Sequence, residues 1–472
     1  MNFVFIVSEQ LRAESLPAYG HPLVKTPNFD RVASEGVVFD NCYAQNPVCT
    51  PSRCCMMTGL YPHVNGHRTL WHLLRNHENS LFRYLKEKDY HIEWHGKNDL
   101  YSQTYFDGVV DNCNSAPGRT HGDNLFEYGE PGYYSFLHKP FPGKAEETND
   151  GLDNRAGINF LESRKPGDKP FMLYLPMSLS HPEYAAPEPF HSMYNPKDVP
   201  PLRPAGLKNK PSFYELIRKY RDIENMDEDF FREINAKYLG MISCADYLIG
   251  KILDTLDKTG LAEDTAVILT ADHGDFGGDF GLVEKWPNCF DDTNIKVPLI
   301  IKMPKGKKGI RNKGLVEHFD ISATVLEAAG IKASHTNFAQ SLLPALMEGK
   351  EVSKDAVFAE GGYDTHEPHC FEGRGDFFDD KTNMYYPKGI QQQEHPESVC
   401  RTTMMRKGDY KIIVRTSDKS ELYDLKNDPQ ELNNIYYNES YTRLVCELER
   451  EMNRWYISSS DIVPFDEDKR GL

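Results

Sequence analysis

The sequence predicts an α/β protein: a doubly wound, mostly parallel sheet flanked by helices, followed by a smaller α+β subdomain carrying an antiparallel sheet. Three observations carry that expectation. Short apolar runs recur, and several end abruptly in polar or reactive side chains, as strands buried on both faces do. Stretches with helical periodicity lie between them, and alternation of the two builds a wound sheet. After about residue 345 the character changes, so the chain divides into residues 1–345 and 346–472.

The first strand is Phe3-Val4-Phe5-Ile6-Val7, ending in Ser8-Glu9-Gln10. Residues 27–36 read as a short helix ending at Gly36, and Val37-Val38-Phe39 as a second strand. Tyr90–Trp94 leads into His95-Gly96-Lys97, Phe171–Leu175 into Ser178-Leu179-Ser180-His181, and Ala266–Thr270 into Asp272-His273-Gly274. Val297–Ile301 is a further run. The clearest helix spans about Asp229–Lys258, where Tyr238, Met241, Ile242, Ala245, Leu248, Ile249 and Ile252 recur at helical spacing; core packing accounts for that stripe. Residues 361–398 show little periodicity and are rich in Gly, Asp, His, Tyr and Pro. They predict a long excursion that folds over the cleft and helps to select substrate. Met404–Val414 reads as a hairpin turning at Lys407-Gly408-Asp409. Glu421–Leu425 is another strand, and residues 439–455 suit a closing helix.

Composition excludes several classes of function. Apolar residues make up 39% and charged residues 26% of 472, which describes a folded chain and not a disordered one. The formal net charge is −17, opposite in sign to that of a general nucleic-acid binder. An anionic substrate must therefore be met by a local basic pocket. No apolar run is long enough to span a bilayer, so no membrane partner is expected. The N-terminal run lacks a basic flank and a small-residue cleavage site, so it does not read as a signal peptide. Ten cysteines are scattered without a C-x-x-C pair. Reduced thiols and a cytoplasmic location are the expectation, or a periplasmic or secreted one if a leader has been removed.

Four of the strand-like runs are followed at once by reactive side chains: Glu9 and Gln10, Lys97 and Asp99, His181, and Asp272 with His273. Ligands of an open α/β sheet bind outside the carboxyl ends of its strands. If these strands are parallel neighbours, the four clusters meet on one rim. Glu9, Gln10, Asp272 and His273 are oxygen-rich with one imidazole, a set suited to a hard divalent cation such as Ca²⁺ or Mg²⁺. Arg53, Lys97, His181 and Lys285 are donors suited to a tetrahedral oxyanion. A cation, a ring of donors and a nearby thiol suggest transfer of a sulfuryl or phosphoryl group. Each residue alone is weak, since a glutamate at a strand end is usually a solvated loop residue; the constellation carries the argument.

Residues 46–60 read N-P-V-C-T-P-S-R-C-C-M-M-T-G-L. Pro51 suits the first turn of a helix, with Cys49 or Thr50 as its cap and Gly59 as its stop. Cys49 then sits at the positive end of the helix, where anions bind and a thiol pKa is depressed. Arg53 lies four residues on and points to the same side. Cys54 and Cys55 are turned away and read as small buried apolar residues.

C-T-P-S-R at 49–53, with M-T-G-L-Y-P at 57–62, resembles the signature of the type I sulfatases of the alkaline phosphatase superfamily. Thr26–Arg31, Leu269–Asp275 with Gly281-Leu282 and Lys285, Val297–Ile300, and Glu421–Leu425 with Asp428-Pro429 resemble further landmarks of that family, so the likeness runs along nearly the whole chain. The resemblance implies a sulfuric ester hydrolase in which a maturation enzyme oxidises Cys49 to formylglycine. It implies that the aldehyde hydrate attacks the ester sulfur and that a divalent cation, usually calcium, holds the sulfate and the hydrate. By the same resemblance, Glu9, Gln10, residue 49, Asp272 and His273 surround the metal. Arg53 supports the formylglycine, and Lys97, His181 and Lys285 occupy sulfate-binding and leaving-group positions. A sulfated sugar or other small sulfate ester is the expected substrate.

Two departures from the family pattern matter. The first metal position is normally Asp; Glu9 keeps the charge but is one methylene longer. The family's G-K-W-H becomes Gly96-Lys97-Asn98-Asp99, which replaces an imidazole near the sulfate with a carboxylate that repels it. Asp99 then has a sugar hydroxyl or Lys97 as its partner. His63 and His67, just past the signature helix, are in reach of the cleft, and His67 joins Asp99 as a substrate-binding candidate. His366-Glu367-Pro368-His369-Cys370 is poorly spaced for zinc, and Asn438-Glu439-Ser440 fits a glycosylation acceptor. Two other readings compete: a phosphonate monoester or phosphodiester hydrolase of the same superfamily, and a catalytically silent binder of sulfated glycans, which Glu9 and Asp99 favour.

Overall fold

The apolar runs assemble into one mixed sheet of nine strands in the computed structural model, which describes residues 1–75, 77–106, 108–114, 122–373, 379–463 and 465. The strands are Asn2–Ser8 (β1), Val37–Tyr43 (β2), His91–His95 (β3), Asn112–Asn114 (β4), Phe171–Met177 (β5), Thr265–Thr270 (β6), Lys296–Val297 (β7), Leu299–Lys302 (β8) and Ile310–Glu317 (β9). Their order is β4-β3-β5-β1-β6-β8-β2-β7, with β9 paired to β2.

β1 runs through the middle, parallel to β5 on one side and β6 on the other, with Phe5 opposite both Tyr174 and Ile268. It is buried from Phe3 to Ser8. A strand covered on both faces has no solvent side, which is why its sequence is continuously apolar. β3 extends the parallel run beyond β5, while β8 is antiparallel to both β6 and β2. The single strand expected over Val297–Ile301 is divided at Pro298, which cannot donate to a ladder. Its carbonyl instead accepts from Thr270 Oγ1 at 2.7 Å.

The long helix covers Glu228–Thr259. Asp227 caps it by accepting from Phe230 N at 3.0 Å, and Gly260 ends it at φ 75°. The stripe from Tyr238 to Ile252 is buried in the main core, as its spacing requires.

Ala356–Gly361 (β10), Thr402–Lys407 (β11), Tyr410–Arg415 (β12) and Glu421–Asp424 (β13) form a separate antiparallel sheet. The hairpin at Lys407–Tyr410 turns where expected; β10 is an element the sequence pattern did not single out. The closing helix, Thr442–Ser459, packs Val445, Leu448 and Met452 against Phe358, Met405, Ile412 and Leu422. Cys55, Tyr61 and Phe319 join the same cluster, so this small core also buttresses the helix that bears the signature. The excursion between β10 and β11 includes the helix Tyr386–Glu394. Cys42, Cys49, Cys54, Cys55, Cys244, Cys289 and Cys400 are buried free thiols. Among the described residues no helix is long and apolar enough to cross a membrane.

Candidate active site

β3, β5, β1 and β6 are consecutive parallel neighbours, so their carboxyl ends share one edge of the sheet. The four expected clusters leave that edge together. Cys49 Sγ donates to Glu9 Oε1 at 3.0 Å and lies 3.2 Å from His273 Nε2. Lys97 Nζ donates to the same Glu9 oxygen at 2.5 Å. Arg53 Nε donates to Asp272 Oδ2 at 2.9 Å, and its Nη2 is 3.9 Å from Glu9 Oε2. Lys285 Nζ donates to Gln10 Oε1 at 2.9 Å and to His181 Nε2 at 3.0 Å.

Two glycines make these approaches possible. Gly96 has φ 125°, and a Cβ there would lie 2.4 Å from the Pro176 carbonyl oxygen; only glycine lets the chain leave β3 and present Lys97. At Gly274 a Cβ would lie 1.9 Å from Thr293 O, so the turn that presents Asp272 and His273 packs backbone against backbone.

The signature helix (α2) spans Cys49–Thr58 and ends at Gly59, φ 71°, whose N–H donates to Cys55 O at 2.9 Å. The cap falls one residue earlier than expected, at Val48, which places Cys49 at the first helical position. Asn46 Oδ1 holds the entering chain by accepting from Val48 N at 2.9 Å. Cys54 and Cys55 are buried in apolar clusters, as expected.

The depressed thiol pKa expected at a helix N-terminus does not occur. Burial raises the Cys49 thiol well above its ordinary value; Lys285 and Lys97 pull it down, but Glu9 and Asp272 add to the rise. For Asp272, burial is outweighed by His273 and Arg53, and its carboxyl stays well below the usual range. Burial pushes His273 down to about 4 despite Asp272. Its Nδ1 lies 2.9 Å from Gly274 O, and with the proton there, Nε2 faces Cys49 as a lone pair. Burial disfavours the charge on Lys97, yet Asp99 and Glu9 raise its pKa.

Glu9, Cys49, Asp272 and His273 each place one ligand atom within 4.8 Å of the others, a geometry that could hold a metal ion. Glu9 Oε2 and Arg53 Nη2 are buried without a hydrogen-bond partner among the described residues. An orphaned carboxylate oxygen beside an ionised aspartate and a neutral imidazole fits a hard cation. A thiol does not, but an oxygen at position 49 would.

The remaining candidates are placed as follows. Asp99 Oδ2 lies 2.9 Å from Lys97 Nζ, so the lysine is its partner. Gln10 bonds through its side chain to Asp275 as well as Lys285, and its backbone N–H donates to Asp272 Oδ1 at 3.0 Å. His67 is not brought to the cavity: its ring nitrogens lie 2.8 Å from His72 O and 2.9 Å from Glu78 Oε1. His63 is likewise engaged with Glu360 and Ser459 O.

A cavity of about 280 Å³ opens over the cluster, lined by Cys49, Lys97, Asp99, His181 and Lys285. The excursion does reach it, through Glu372, Tyr385 and Lys388. Sequence reasoning missed those residues, along with Trp71 and Glu284. Glu284 accepts from Lys285 Nζ at 3.2 Å, Lys388 Nζ at 3.3 Å and Arg221 Nη2 at 3.1 Å. Its adjacency to Lys285 was the one available signal.

The chain matches the sulfatase family model over residues 1–331 and the model of the N-sulphoglucosamine sulphohydrolase C-terminal region over residues 374–457. It is 26% identical to the multifunctional alkaline phosphatase superfamily protein PehA of Trinickia caryophylli, over 98% of this chain and 96% of the other. It is also 26% identical to an N-acetylglucosamine-6-O-sulfatase of Bacteroides thetaiotaomicron, over 95% and 84%. The phosphonate monoester hydrolase of Agrobacterium radiobacter shares the fold, with a TM-score of 0.80 at 22% identity over 97% of this chain and 96% of that one. Since the family model runs unbroken from β1 past the end of β9, the chain belongs to the sulfatase family and is a sulfuric ester hydrolase.

Proposed function

We propose that the protein hydrolyses the sulfate ester of a sugar, using a formylglycine hydrate at position 49 as nucleophile and a divalent cation, Ca²⁺ or else Mg²⁺, held by Glu9, Asp272 and His273 together with residue 49. The observation that carries this reading is the position of Cys49, between Glu9 and His273 at a cavity that Lys97, His181 and Lys285 also line. The sugar is supported by the N-acetylglucosamine-6-O-sulfatase relative. A maturation enzyme of the host is the required partner for residue 49.

The cation, when bound, supplies positive charge for the sulfate oxygens and favours ionisation of the hydrate. Lys97 and Lys285 line the cavity and would donate to the sulfate oxygens, fixed before the reaction by Glu9 and Gln10. Arg53 holds Asp272 in place through Nε. His181 Nδ1 lies 2.6 Å from Pro182 O, which sets the ring so that Nε2 faces Lys285. A proton shared between those two groups is available to the departing alcohol.

Turnover of 4-nitrophenyl sulfate and of sugar sulfates, before and after chelation, tests the proposal. Activity should vanish with chelator and return with Ca²⁺; full activity in chelator would remove the cation from the account. A second reading, phosphonate monoester or phosphodiester hydrolysis, is supported by the likeness in fold to the phosphonate monoester hydrolase of Agrobacterium radiobacter. A higher kcat/KM on an aryl phosphonate than on the aryl sulfate would establish it.

A further inference from the structure

The cavity has an anion-handling wall and a second wall that the reaction itself does not explain. Glu372 belongs to the second wall. Its side chain is 7% exposed, and its Oε2 accepts from Lys388 Nζ at 2.8 Å and Gln392 Nε2 at 3.1 Å. Its backbone N–H donates to Gln392 Oε1 at 2.9 Å, so the residue is fixed at both ends. Its Oε1 is buried with no hydrogen-bond partner among the described residues. A buried carboxylate oxygen without a donor is costly, and at a ligand cavity the missing donor is one a ligand can bring.

Trp71 lines the same cavity. Its indole N–H donates to the carbonyl of Phe371, the residue before Glu372, at 2.9 Å, which ties the ring to the carboxylate's backbone. The residue is 40% exposed, an unusual state for tryptophan, and an indole on a cavity wall suits the C–H face of a pyranose. Lys388 lines this wall too, but Glu284 and Glu372 both accept from it. Glu372 Oε1 therefore suits a hydroxyl or amino donor and repels a carboxylate set against it. A volume of about 280 Å³ accommodates one sugar ring with its sulfate.

We infer that Trp71 and Glu372 form the sugar subsite and that the substrate is a sulfated hexose or hexosamine ring, stacked on Trp71 with a hydroxyl or amino group donating to Glu372 Oε1, and not a sulfated uronate. The inference rests on the sulfatase reading above, but its test does not depend on turnover.

Binding is measured by calorimetry to Cys49→Ser protein, which needs no maturation, with glucose, glucosamine and glucuronate monosulfates and inorganic sulfate as probes. Hexose or hexosamine sulfates should bind at least tenfold more tightly than uronate sulfates. Trp71→Ala and Glu372→Gln should each lower the ratio of sugar-sulfate to inorganic-sulfate affinity about tenfold, and Trp71→Phe should restore most of the Trp71→Ala loss. Thermal melts confirm that each variant is folded. Preference for the uronate, or an unchanged ratio in both folded variants, overturns the inference. Absence of turnover by matured wild-type enzyme on every sulfate ester would instead overturn the sulfatase reading and leave the binding ratios to decide the subsite.

Discussion

Replacing Arg53 by methionine tests the electrostatic logic of the site without touching a proposed metal ligand. Arg53 and Asp272 are both fully buried and are joined by an Nε–Oδ2 bond of 2.9 Å. Methionine fills much of the arginine's volume but leaves Asp272 uncompensated, with Glu9 also losing a cation 3.9 Å away. Removing one partner of a buried pair costs about 3–5 kcal/mol. Unfolding entropy of roughly 1 kcal/mol/K for a chain of 472 residues converts this to a fall of roughly 3–5 °C in Tm. The loss should be largest in chelator. Calcium should recover part of it, because a cation beside Asp272 and Glu9 replaces the missing charge. Arg53→Lys keeps the charge but not the planar fork, and should fall between the two. The assay is thermal or denaturant unfolding of both proteins, each with and without Ca²⁺. A loss under about 1 kcal/mol, or the same loss with and without calcium, would refute the reasoning.

Further outcomes follow from particular contacts. Cys49→Ala should abolish turnover, whereas Cys54→Ala and Cys55→Ala should cost about 1 kcal/mol of stability and leave chemistry in place; equal loss of activity from all three, with folding intact, would contradict the assignment. Asp99→Asn removes a carboxylate that competes with substrate for Lys97, so KM for a sulfate ester should fall; a rise would show that Asp99 binds the sugar instead. His67 is lowered by burial, but Cys54 and the Glu78 carboxylate raise its pKa from 6.5 to about 10. A raised pKa means that the ion pair stabilises the fold fully below about pH 6.5 and that this contribution is lost as pH rises towards 10. Wild-type stability should therefore drop by about 1–3 kcal/mol more than that of His67→Gln across this window, and parallel pH profiles would exclude the pair.

Much of the fold is legible because parallel strands buried on both faces must be continuously apolar. β1, β5 and β6 announce themselves in this way, β3 less so because His91, Glu93 and His95 alternate with its apolar residues, and the neighbour relation of the four brings Glu9, Lys97, His181 and Asp272 together. What is not legible depends on partners distant in sequence. Gln10 looks like a free metal ligand until Asp275 and Lys285 are found on its side chain. Cys49 looks activated by its helix until burial beside Glu9 is taken into account. His67 looks aimed at the cleft until Glu78 closes on it. Glu372 and Lys388 lie in a stretch without periodicity, where no pattern distinguishes a residue facing the cavity from one facing solvent.

The central claim is that the nucleophile resides at position 49 in a form the gene does not encode. Peptide mass spectrometry across residues 41–68, on preparations matured to different extents, measures the converted fraction directly. Turnover of a sulfate ester should rise in proportion to that fraction and extrapolate to zero where Cys49 is unmodified. Full turnover by protein whose Cys49 is still a thiol would contradict the account.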